Sequence, residues 1–347
     1  MSTVVALDIG SSAIAGVELK TARDRVTLAK AAVEPLPPGL VHDGEIVRPD
    51  ELAGEIRRFW RSARFAGKRV RLGVANQRVV VRTIELPAVE FEAAEQIPIP
   101  PDQTVVDSQP VLRFANDAGE RERHVVVAAH RDMVEGLTST VRQAGLVPVG
   151  IDLEAFAILR ALLPPPSVID EGSEDATAVA VCHVGAEVTN MIVSVDRRCH
   201  FTRLVGFGGN HLTAAVSDRT GLPADEAEAV KTACGLLGDQ MDGWDPDTVA
   251  EVRHALALGA RPLVREITRS LEYYRSQSFS RPIGKLVISG GTSMCAGIDR
   301  YLQQGLGIPV EVGDPRRQID DSGDLAADVA ARAAVALGLA LDAPEWS

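Results

Sequence analysis

Four glycine-bearing turns, each following an apolar run, are the positions in the sequence best suited to binding phosphate. They are Gly10-Ser11-Ser12, Gly185-Ala186, Gly208-Gly209 and Gly290-Gly291. Glycine leaves the backbone N–H groups of such turns unobstructed, and converging N–H groups bind anions. One glycine turn is weak evidence, because most of them only reverse the chain. Four of them at the ends of predicted strands indicate a phosphate-binding cleft.

Asp8 precedes the first of these turns and adds a carboxylate to the predicted cleft. A carboxylate at this position can hold Mg²⁺ through a water molecule, because Mg²⁺ prefers oxygen ligands and keeps several of its waters. The alternative is that Asp8 only caps its own turn. The sequence thus predicts Asp8 as a metal residue that acts through water.

The stretch around Asp8 has an altered copy later in the chain. Residues 4–19 and 180–193 each read as two strands joined by a turn, and Asp8 of the first copy corresponds to His183 of the second. Two such hairpins, one opening each half of the chain, predict a duplicated fold with a cleft between the copies.

Apolar periodicity predicts the elements that must position these turns. Helical spacing runs from about Pro49 to Ala63 and from Val249 to about Gln277, with Pro262 as a point where the second helix kinks or restarts. An alanine-rich stretch, Leu325 to Leu341, predicts a closing helix. The order of strands and helices indicates a mixed α/β protein.

Composition excludes several classes of protein. The formal net charge of −12 over 347 residues argues against a general nucleic-acid binder, which needs a basic face. The four cysteines include no CxxC pair, so neither a zinc site nor a disulfide framework is indicated. The first residues lead directly into a strand without the pattern of a signal peptide, and we therefore expect a cytoplasmic protein.

Several motifs carry a resemblance to a known family. Residues 8–12 look like the first phosphate loop of the actin and sugar-kinase superfamily, and residues 288–291 with Gly297 resemble its adenosine motif. In detail the chain is most similar to the PilM family of type IV pilus assembly, a relative of the FtsA division proteins. This similarity lies in Ala6–Leu19, Ile97–Pro100, Ala144 through Ala157 and Arg160, Gly208–Thr213, Glu226–Lys231 and Arg269–Tyr274.

The resemblance covers essentially the whole chain and implies its fold. That fold is α/β, an actin-like (duplicated, ribonuclease H-like) two-lobed ATPase fold with an inserted small α/β subdomain. Residues 1–78 would form the first lobe, with the helix 325–342 packing back on it. Residues 79–160 would form the inserted subdomain that the PilM and FtsA families share, and residues 161–324 the second lobe.

The resemblance also implies ATP and Mg²⁺ as ligands, with a role for each matching position. The phosphate and Mg²⁺ end would be formed by Asp8, Gly10, Ser11, Ser12, Gly185, Ala186, Gly208 and Gly209. Glu228 and Lys231 would lie beside the ribose and base, while Gly290, Gly291 and Met294 would back the adenosine. The alternative for Glu228 and Lys231 is an exposed ion pair one helical turn apart.

Three departures from the family pattern modify these expectations. His183 stands where the superfamily usually has an acidic residue, and a neutral imidazole does not support Mg²⁺ as an aspartate does. Glu187 replaces a small residue and adds a negative charge beside the phosphates. Between Pro87 and Pro98 the expected helix is compressed to a short segment, Phe91 to Gln96, which changes the groove that receives the partner peptide in the family.

The function implied is a cytoplasmic, ATP-binding assembly platform with slow or no ATP hydrolysis. Its partner would be the cytoplasmic N-terminal segment of a PilN-like inner-membrane protein within the pilus inner-membrane complex. The chain would then meet the inner face of the membrane only through that partner. Self-association is left open, and no catalytic residue is assigned.

Three alternative functions remain open at this point. A small-molecule kinase of the same superfamily would need an acidic residue near the γ-phosphate on the second lobe, and His183 argues against it. A nucleotide-free actin-like scaffold is the second. An FtsA-like division protein is disfavoured because the sequence ends at Ser347 without a basic amphipathic helix.

Overall fold

The computed structural model describes residues 2–23, 25–87, 100–116, 119–165, 176–237 and 244–341. Two five-stranded sheets organise them, and each sheet has the same plan. Three consecutive strands form an antiparallel meander, and two further strands add in parallel beside the first strand of that meander. The predicted duplication and the two-lobed α/β fold are therefore confirmed.

The first sheet has the strand order β10-β6-β1-β2-β3. Its strands are β1 (Ser2–Ile9), β2 (Ala13–Ala22), β3 (Arg25–Pro35), β6 (Arg69–Val74) and β10 (Val147–Leu153). Helix α1 (Pro49–Ala63) buries Leu52, Ile56 and Phe59 among apolar residues of β1 and β6. These three residues share one face at helical spacing, which is why this segment folds as a helix against the sheet.

The second sheet has the strand order β13-β12-β11-β14-β15. Its strands are β11 (Ala178–Val184), β12 (Thr189–Val195), β13 (Arg198–Val205), β14 (Ile283–Ser289) and β15 (Val310–Val312). One face of the sheet is covered by helices α4 (Gly209–Thr220), α5 (Ala224–Cys234), α6 (Pro246–Arg275) and α7 (Ile298–Leu306). Helix α6 runs unbroken through Pro262, so the predicted restart at this proline does not occur.

A third, smaller sheet of order β7-β9-β8 lies within the proposed inserted subdomain. It consists of β7 (Val79–Pro87), β8 (Thr104–Asn116) and β9 (Gly119–His130), followed by helix α2 (Arg131–Gln143). A two-residue-strand hairpin, β4 (Val41–His42) and β5 (Glu45–Ile46), belongs to the first lobe. The short helix expected at Phe91 to Gln96 lies outside the described residues.

The closing helix differs from its prediction. It is divided into α8 (Ala327–Arg332) and α9 (Ala334–Ala340), because the backbone of Ala333 (φ −97°, ψ 11°) leaves the helical range. Helix α9 packs on β1 and β2 and against helix α3 (Glu154–Leu162). A Cβ on Gly338 would lie 1.8 Å from the carbonyl oxygen of Ala157, so only glycine allows this approach.

The membership of β10 in the first sheet bears on the proposed domain boundaries. Strand β10 pairs in parallel with β6, although it lies within residues 79–160. The division into residues 1–78, 79–160 and 161–324 stays a proposal, and the pairing favours an inserted subdomain that ends before Val147. Among the described residues, none of the helices is long and apolar enough to cross a membrane.

Candidate functional site

Asp8 and Glu154 form a pair of carboxyl groups at one edge of the first sheet, where Glu154 contacts Asn190 of the second lobe. Strands β1, β6 and β10 run parallel, so their carboxyl ends meet at one edge of the first sheet. Asp8 lies at the end of β1, and Glu154 begins α3 directly after β10. Between them, Gly73 of β6 makes room, because a Cβ there would lie 3.0 Å from Cγ of Glu154.

Both carboxyl groups hold their protons more tightly than an exposed acid. Burial raises the pKa of Asp8 to about 7, against a smaller lowering by the backbone N–H of Ile9. Burial and then the neighbouring charge of Asp8 raise the pKa of Glu154 well above its usual value. Nδ2 of Asn190 donates a hydrogen bond to Glu154 over 3.1 Å, which partly offsets this rise. Two acids that cannot both ionise cheaply need a cation or a shared proton.

Sequence reasoning did not identify Glu154. It lies in the stretch 144–157 that resembles the family, but no role was assigned to it. A signal was present, since an acidic residue directly after a strand and at the start of a helix is well placed for a site in an α/β fold. What the sequence did not show is that β10 lies two strands away from β1.

The donor set at this point fits Mg²⁺. Asp8 and Glu154 supply carboxylate oxygens, and Mg²⁺ is bound in proteins by one or two carboxylates together with water and phosphate oxygens. A divalent cation would also offset the burial that raises both pKa values and the charge of Asp8 that further raises the pKa of Glu154. The fit rests on the close approach of these two half-buried acids, of which Asp8 was predicted from the sequence as a metal residue.

His183 is buried beside this pair and is neutral. Burial lowers its pKa to about 4. It pairs with Asn190 across the β11–β12 ladder and with Ser289 across β11–β14, so the three side chains lie on neighbouring strands. Within the described part of the chain, neither Nδ1 of His183 nor Oγ of Ser289 has a hydrogen-bond partner. A neutral imidazole here adds no negative charge to the metal side of the cleft.

The second and third predicted turns contact each other. The N–H groups of Gly209 and Asn210 donate to the carbonyl oxygens of Gly185 (2.9 Å) and Ala186 (2.8 Å). A Cβ on Gly208 would lie 2.4 Å from the carbonyl of Ala186. The first N–H groups of α4 are therefore used inside the protein. Gly208 and Gly209 shape the cleft by lacking side chains, and their amides do not form a free phosphate cradle.

The fourth turn joins the same place. Gly290 has a φ of +87°, and a Cβ there would lie 2.4 Å from the carbonyl oxygen of Val184. The hydroxyl of Thr292 donates to the carbonyl oxygen of Gly185 over 3.2 Å. Gly291 begins a short 3₁₀ turn that places Met294 at the surface, with 39% of the residue exposed. An exposed methionine at this position offers an apolar surface to a flat ring.

Glu228 and Lys231 form a partly buried network of hydrogen bonds. It differs from the exposed ion pair that was the alternative for these two residues. Nζ of Lys231 lies 2.5 Å from Glu228, 3.0 Å from Oγ1 of Thr213 and 3.3 Å from the carbonyl oxygen of Gly209. The side chain of Lys231 is only 8% exposed, whereas that of Glu228 is 51% exposed. The hydroxyl of Thr213 also donates to Glu228. The buried lysine thus stabilises the turn that begins α4 by hydrogen bonds, whereas the glutamate is exposed to solvent.

Glu187 bridges the two lobes. It belongs to the β11–β12 turn of the second lobe and accepts hydrogen bonds from Ser11 and from the backbone N–H of Asp43, both in the first lobe. The expectation that Glu187 adds a negative charge beside the phosphates stays a prediction, and Ser11, which it contacts, is one of the residues predicted to approach them. The roles assigned to the predicted site residues nevertheless stay predictions, since no ligand contact is described.

A large cavity among the described residues reaches Asn190 but lies mainly outside the predicted site. Its volume is about 980 Å³, and it lies between strand β7 and the second lobe, where β13, α4 and α6 line it. None of the predicted site residues lines it. A smaller cavity of about 160 Å³, lined by Ile9, Gly73 and Glu154, opens beside the carboxyl pair.

Comparison with known proteins supports the fold and gives the family. The model of a family described as type IV pilus assembly protein PilM matches residues 6–343. A solved structure described as a PilM–PilN type IV pilus biogenesis complex contains a chain 28% identical to this one, with a TM-score of 0.77 and 97% of each chain covered.

More distant structures share the fold alone. EutJ from Carboxydothermus hydrogenoformans is 16% identical, with 98% of this chain and 90% of EutJ covered and a TM-score of 0.58. MreB5 of Spiroplasma citri, solved with bound ADP, is 13% identical, with coverage of 97% and 95% and a TM-score of 0.55. These two are actin-like relatives in architecture.

Curated relatives include cell division protein FtsA from two bacteria. The FtsA of Neisseria meningitidis serogroup B is 24% identical over 257 residues, which are 65% of this chain and 59% of that protein. The FtsA of Borreliella burgdorferi is 23% identical over 251 residues, with the same coverage. The similarity therefore spans 59% of the length of these curated relatives.

Proposed function

Because the chain belongs to the family of the type IV pilus assembly protein PilM, we propose that it is a nucleotide-binding platform of pilus assembly. In this proposal ATP with Mg²⁺ binds between the lobes and is hydrolysed slowly or not at all. The single observation that carries it is the pair of half-buried carboxyl groups of Asp8 and Glu154, beside a first turn whose Ser11 contacts Glu187 of the second lobe.

Mg²⁺ would be held, through water, by Asp8 together with Glu154. The ion supplies charge neutralisation for the phosphates and the two acids. The chain's own residues orient the nucleotide: Gly10, Ser11 and Ser12 on one lobe face Gly185 and Ala186 on the other. Met294 and the Gly290-Gly291 turn would cover the adenine, and the exposed carboxylate of Glu228 would accept hydrogen bonds from ribose hydroxyls.

The neutral His183 supports slow or absent hydrolysis. A group at the position of His183 that activates water for attack on a phosphate would have to accept a proton near neutral pH. Burial keeps the imidazole uncharged, but the same burial lowers its pKa to about 4, so it is a weak base. The binding energy of the nucleotide then serves to fix the arrangement of the lobes.

The partner in this proposal is the cytoplasmic N-terminal segment of a PilN-like inner-membrane protein. The support is the solved PilM–PilN complex, which contains a chain similar to this one over nearly its full length. The platform would then lie at the inner face of the membrane through that partner. A nucleotide that stabilises one arrangement of the lobes changes the partner's affinity by the difference in its affinity for the two arrangements.

Isothermal titration calorimetry of ATP·Mg²⁺ tests the proposal. We expect binding to the wild type and a loss of at least about tenfold in affinity in Asp8→Ala, since a single charged hydrogen-bonded contact contributes on this scale. Asp247→Ala, which removes an exposed aspartate in the first turn of α6, is the matched control and should bind as the wild type does. Equal affinity in the wild type and Asp8→Ala, or no heat in either, would contradict the proposal.

A further inference from the structure

The tip of the β4–β5 hairpin reaches the turn that carries Glu187. The backbone N–H of Asp43 donates to Oε2 of Glu187 over 2.8 Å, and Nδ1 of His42 lies 3.2 Å from the same oxygen. The hydroxyl of Ser11 also hydrogen-bonds to this carboxylate. Three polar groups of the first lobe therefore converge on one carboxylate of the second lobe.

The hairpin is built to hold its N–H group in this place. Asp43 and Gly44 both have positive φ angles, +49° and +77°, as a two-residue type I′ hairpin turn requires. A Cβ on Gly44 would lie 2.1 Å from the carbonyl oxygen of Ala75, so the turn is packed closely against the end of β6. The backbone N–H of Asp43 is therefore held in place by the fold itself and needs no bound anion to position it.

The turn that carries Glu187 is equally constrained. A Cβ on Gly208 would lie 2.6 Å from the backbone nitrogen of Glu187, so α4 supports the turn from behind. The N–H groups of Gly209 and Asn210 bind the two carbonyl oxygens that precede Glu187. The side chain of Glu187 is 22% exposed, which leaves solvent access on one side of the contact.

The surroundings keep Glu187 ionised. Partial burial by itself raises its pKa, but the hydrogen bonds from the Asp43 N–H, from Ser11 and from His42 outweigh burial and hold the pKa below its usual value. The contact is therefore between a carboxylate anion and three groups that can donate to it. Hydrogen bonds to a charged acceptor are stronger than neutral ones.

We propose that Ser11, the Asp43 N–H and His42 form an anion site at the lobe interface, which Glu187 fills in the absence of nucleotide. The terminal phosphate of ATP would displace the Glu187 carboxylate, because the hydroxyl of Ser11 would donate a hydrogen bond to either anion. This inference rests on the proposed nucleotide function and adds a competitor within the chain. Glu187 thus sets the affinity for a nucleoside triphosphate.

A metal ion is the other occupant suggested by these residues. Ligand atoms of His42, Asp43 and Glu187 all lie within 4.8 Å of one another. However, the backbone N–H of Asp43 and the hydroxyl of Ser11 both donate to the Glu187 carboxylate. Such donors favour an anion between them, whereas a cation in this place would face their hydrogens. The geometry thus favours the anion site.

Nucleotide titrations of Glu187→Ala and Glu187→Gln test the proposal. We expect ATP to bind about tenfold more tightly to Glu187→Ala than to the wild type, with a smaller gain for ADP and none for adenosine. Glu187→Gln should fall between the two, since its amide oxygen accepts but carries no charge. Glu45→Gln, which removes one charge from the same hairpin, is the matched control and should not change affinity. An equal gain for adenosine, or no gain for ATP, would overturn the proposal.

Hydrogen exchange at the Asp43 amide provides a readout that needs no nucleotide. We expect this amide to exchange at least about fivefold faster in Glu187→Ala than in the wild type, because its acceptor is gone. Unchanged exchange would overturn the anion site itself. If the Asp43 amide exchanges faster in Glu187→Ala but neither the wild type nor the variants bind ATP, the contact between Asp43 and Glu187 is real. In that case Glu187 does not compete with ATP, and the proposed nucleotide function is also wrong. Binding of Zn²⁺ or Mn²⁺ that is lost in Glu187→Ala would favour the metal site and count against the proposal.

Discussion

At the scale of single residues, the main feature of the candidate site is a pair of acids, Asp8 and Glu154, whose pKa values are raised by burial. Asp8 and Glu154 lie close enough for the charge of one to raise the pKa of the other. The folded chain therefore binds protons at these positions that the unfolded chain releases. A cation in the cleft would replace those protons, so nucleotide and metal binding should be coupled to pH.

The stability of the protein should accordingly depend on pH through Asp8. Its pKa rises from 3.8 to about 7 on folding, so between these values the folded state holds more protons than the unfolded state. The free energy of unfolding must then fall as pH rises from about 4 to about 7. In Asp8→Asn this decline should be weaker, and at pH 8 the variant should be more stable than the wild type.

Urea denaturation without Mg²⁺ at pH 5 and pH 8 measures this difference. Asp247→Asn serves as the control, because this exposed aspartate should leave the decline unchanged. If wild type and Asp8→Asn lose the same free energy of unfolding between the two pH values, Asp8 does not carry a raised pKa in the folded state.

At the scale of elements, close backbone contacts made by glycines set the positions of the site. Gly338 of α9 lies against Ala157 of α3, the helix that begins with Glu154. Gly73, Gly208 and Gly290 bring the strand ends and turns together in the same way. Small changes at these contacts should therefore move the acids as well as destabilise the fold.

Gly338→Ala is expected to destabilise the protein by about 3 kcal/mol, because the added methyl would overlap the backbone of α3 and one helix must move. Gly54→Ala in α1 is the matched control: a Cβ there meets no atom within 4 Å, and alanine favours the helix by about 0.5–1 kcal/mol. Urea denaturation followed by circular dichroism checks both. Equal stability of Gly338→Ala and the wild type would show that the helices do not approach so closely.

The sequence predicted some of these elements and missed the pairing of others. The hairpins β1–β2 and β11–β12 and the helix α1 were predictable, because alternation and helical spacing are local. The place of β10 beside β6 was not, since parallel pairing joins segments far apart in the chain. For the same reason the sequence singled out Asp8, which follows a locally predictable strand, and not Glu154. The burial of Lys231 was left undecided, because spacing along a helix shows which residues are neighbours but not what covers them.

At the scale of the whole molecule, the two lobes carry matching sheets but different turns. The first lobe retains an acid at Asp8, whereas the second has the neutral His183 and adds the bridging Glu187. This asymmetry is the basis of our proposal that the nucleotide is hydrolysed slowly or not at all. In our proposal the nucleotide stabilises one arrangement of the lobes, and the partner segment binds that arrangement with a different affinity.

Calorimetry of the partner segment measures whether nucleotide binding and partner binding are coupled. A peptide with the N-terminal cytoplasmic sequence of the proposed PilN-like partner is titrated into the wild type, with and without saturating ATP·Mg²⁺. We predict that ATP changes the peptide's affinity by about fivefold or more, and that the peptide changes the affinity for ATP by the same factor. Peptide affinities that are identical with and without bound ATP would contradict the account.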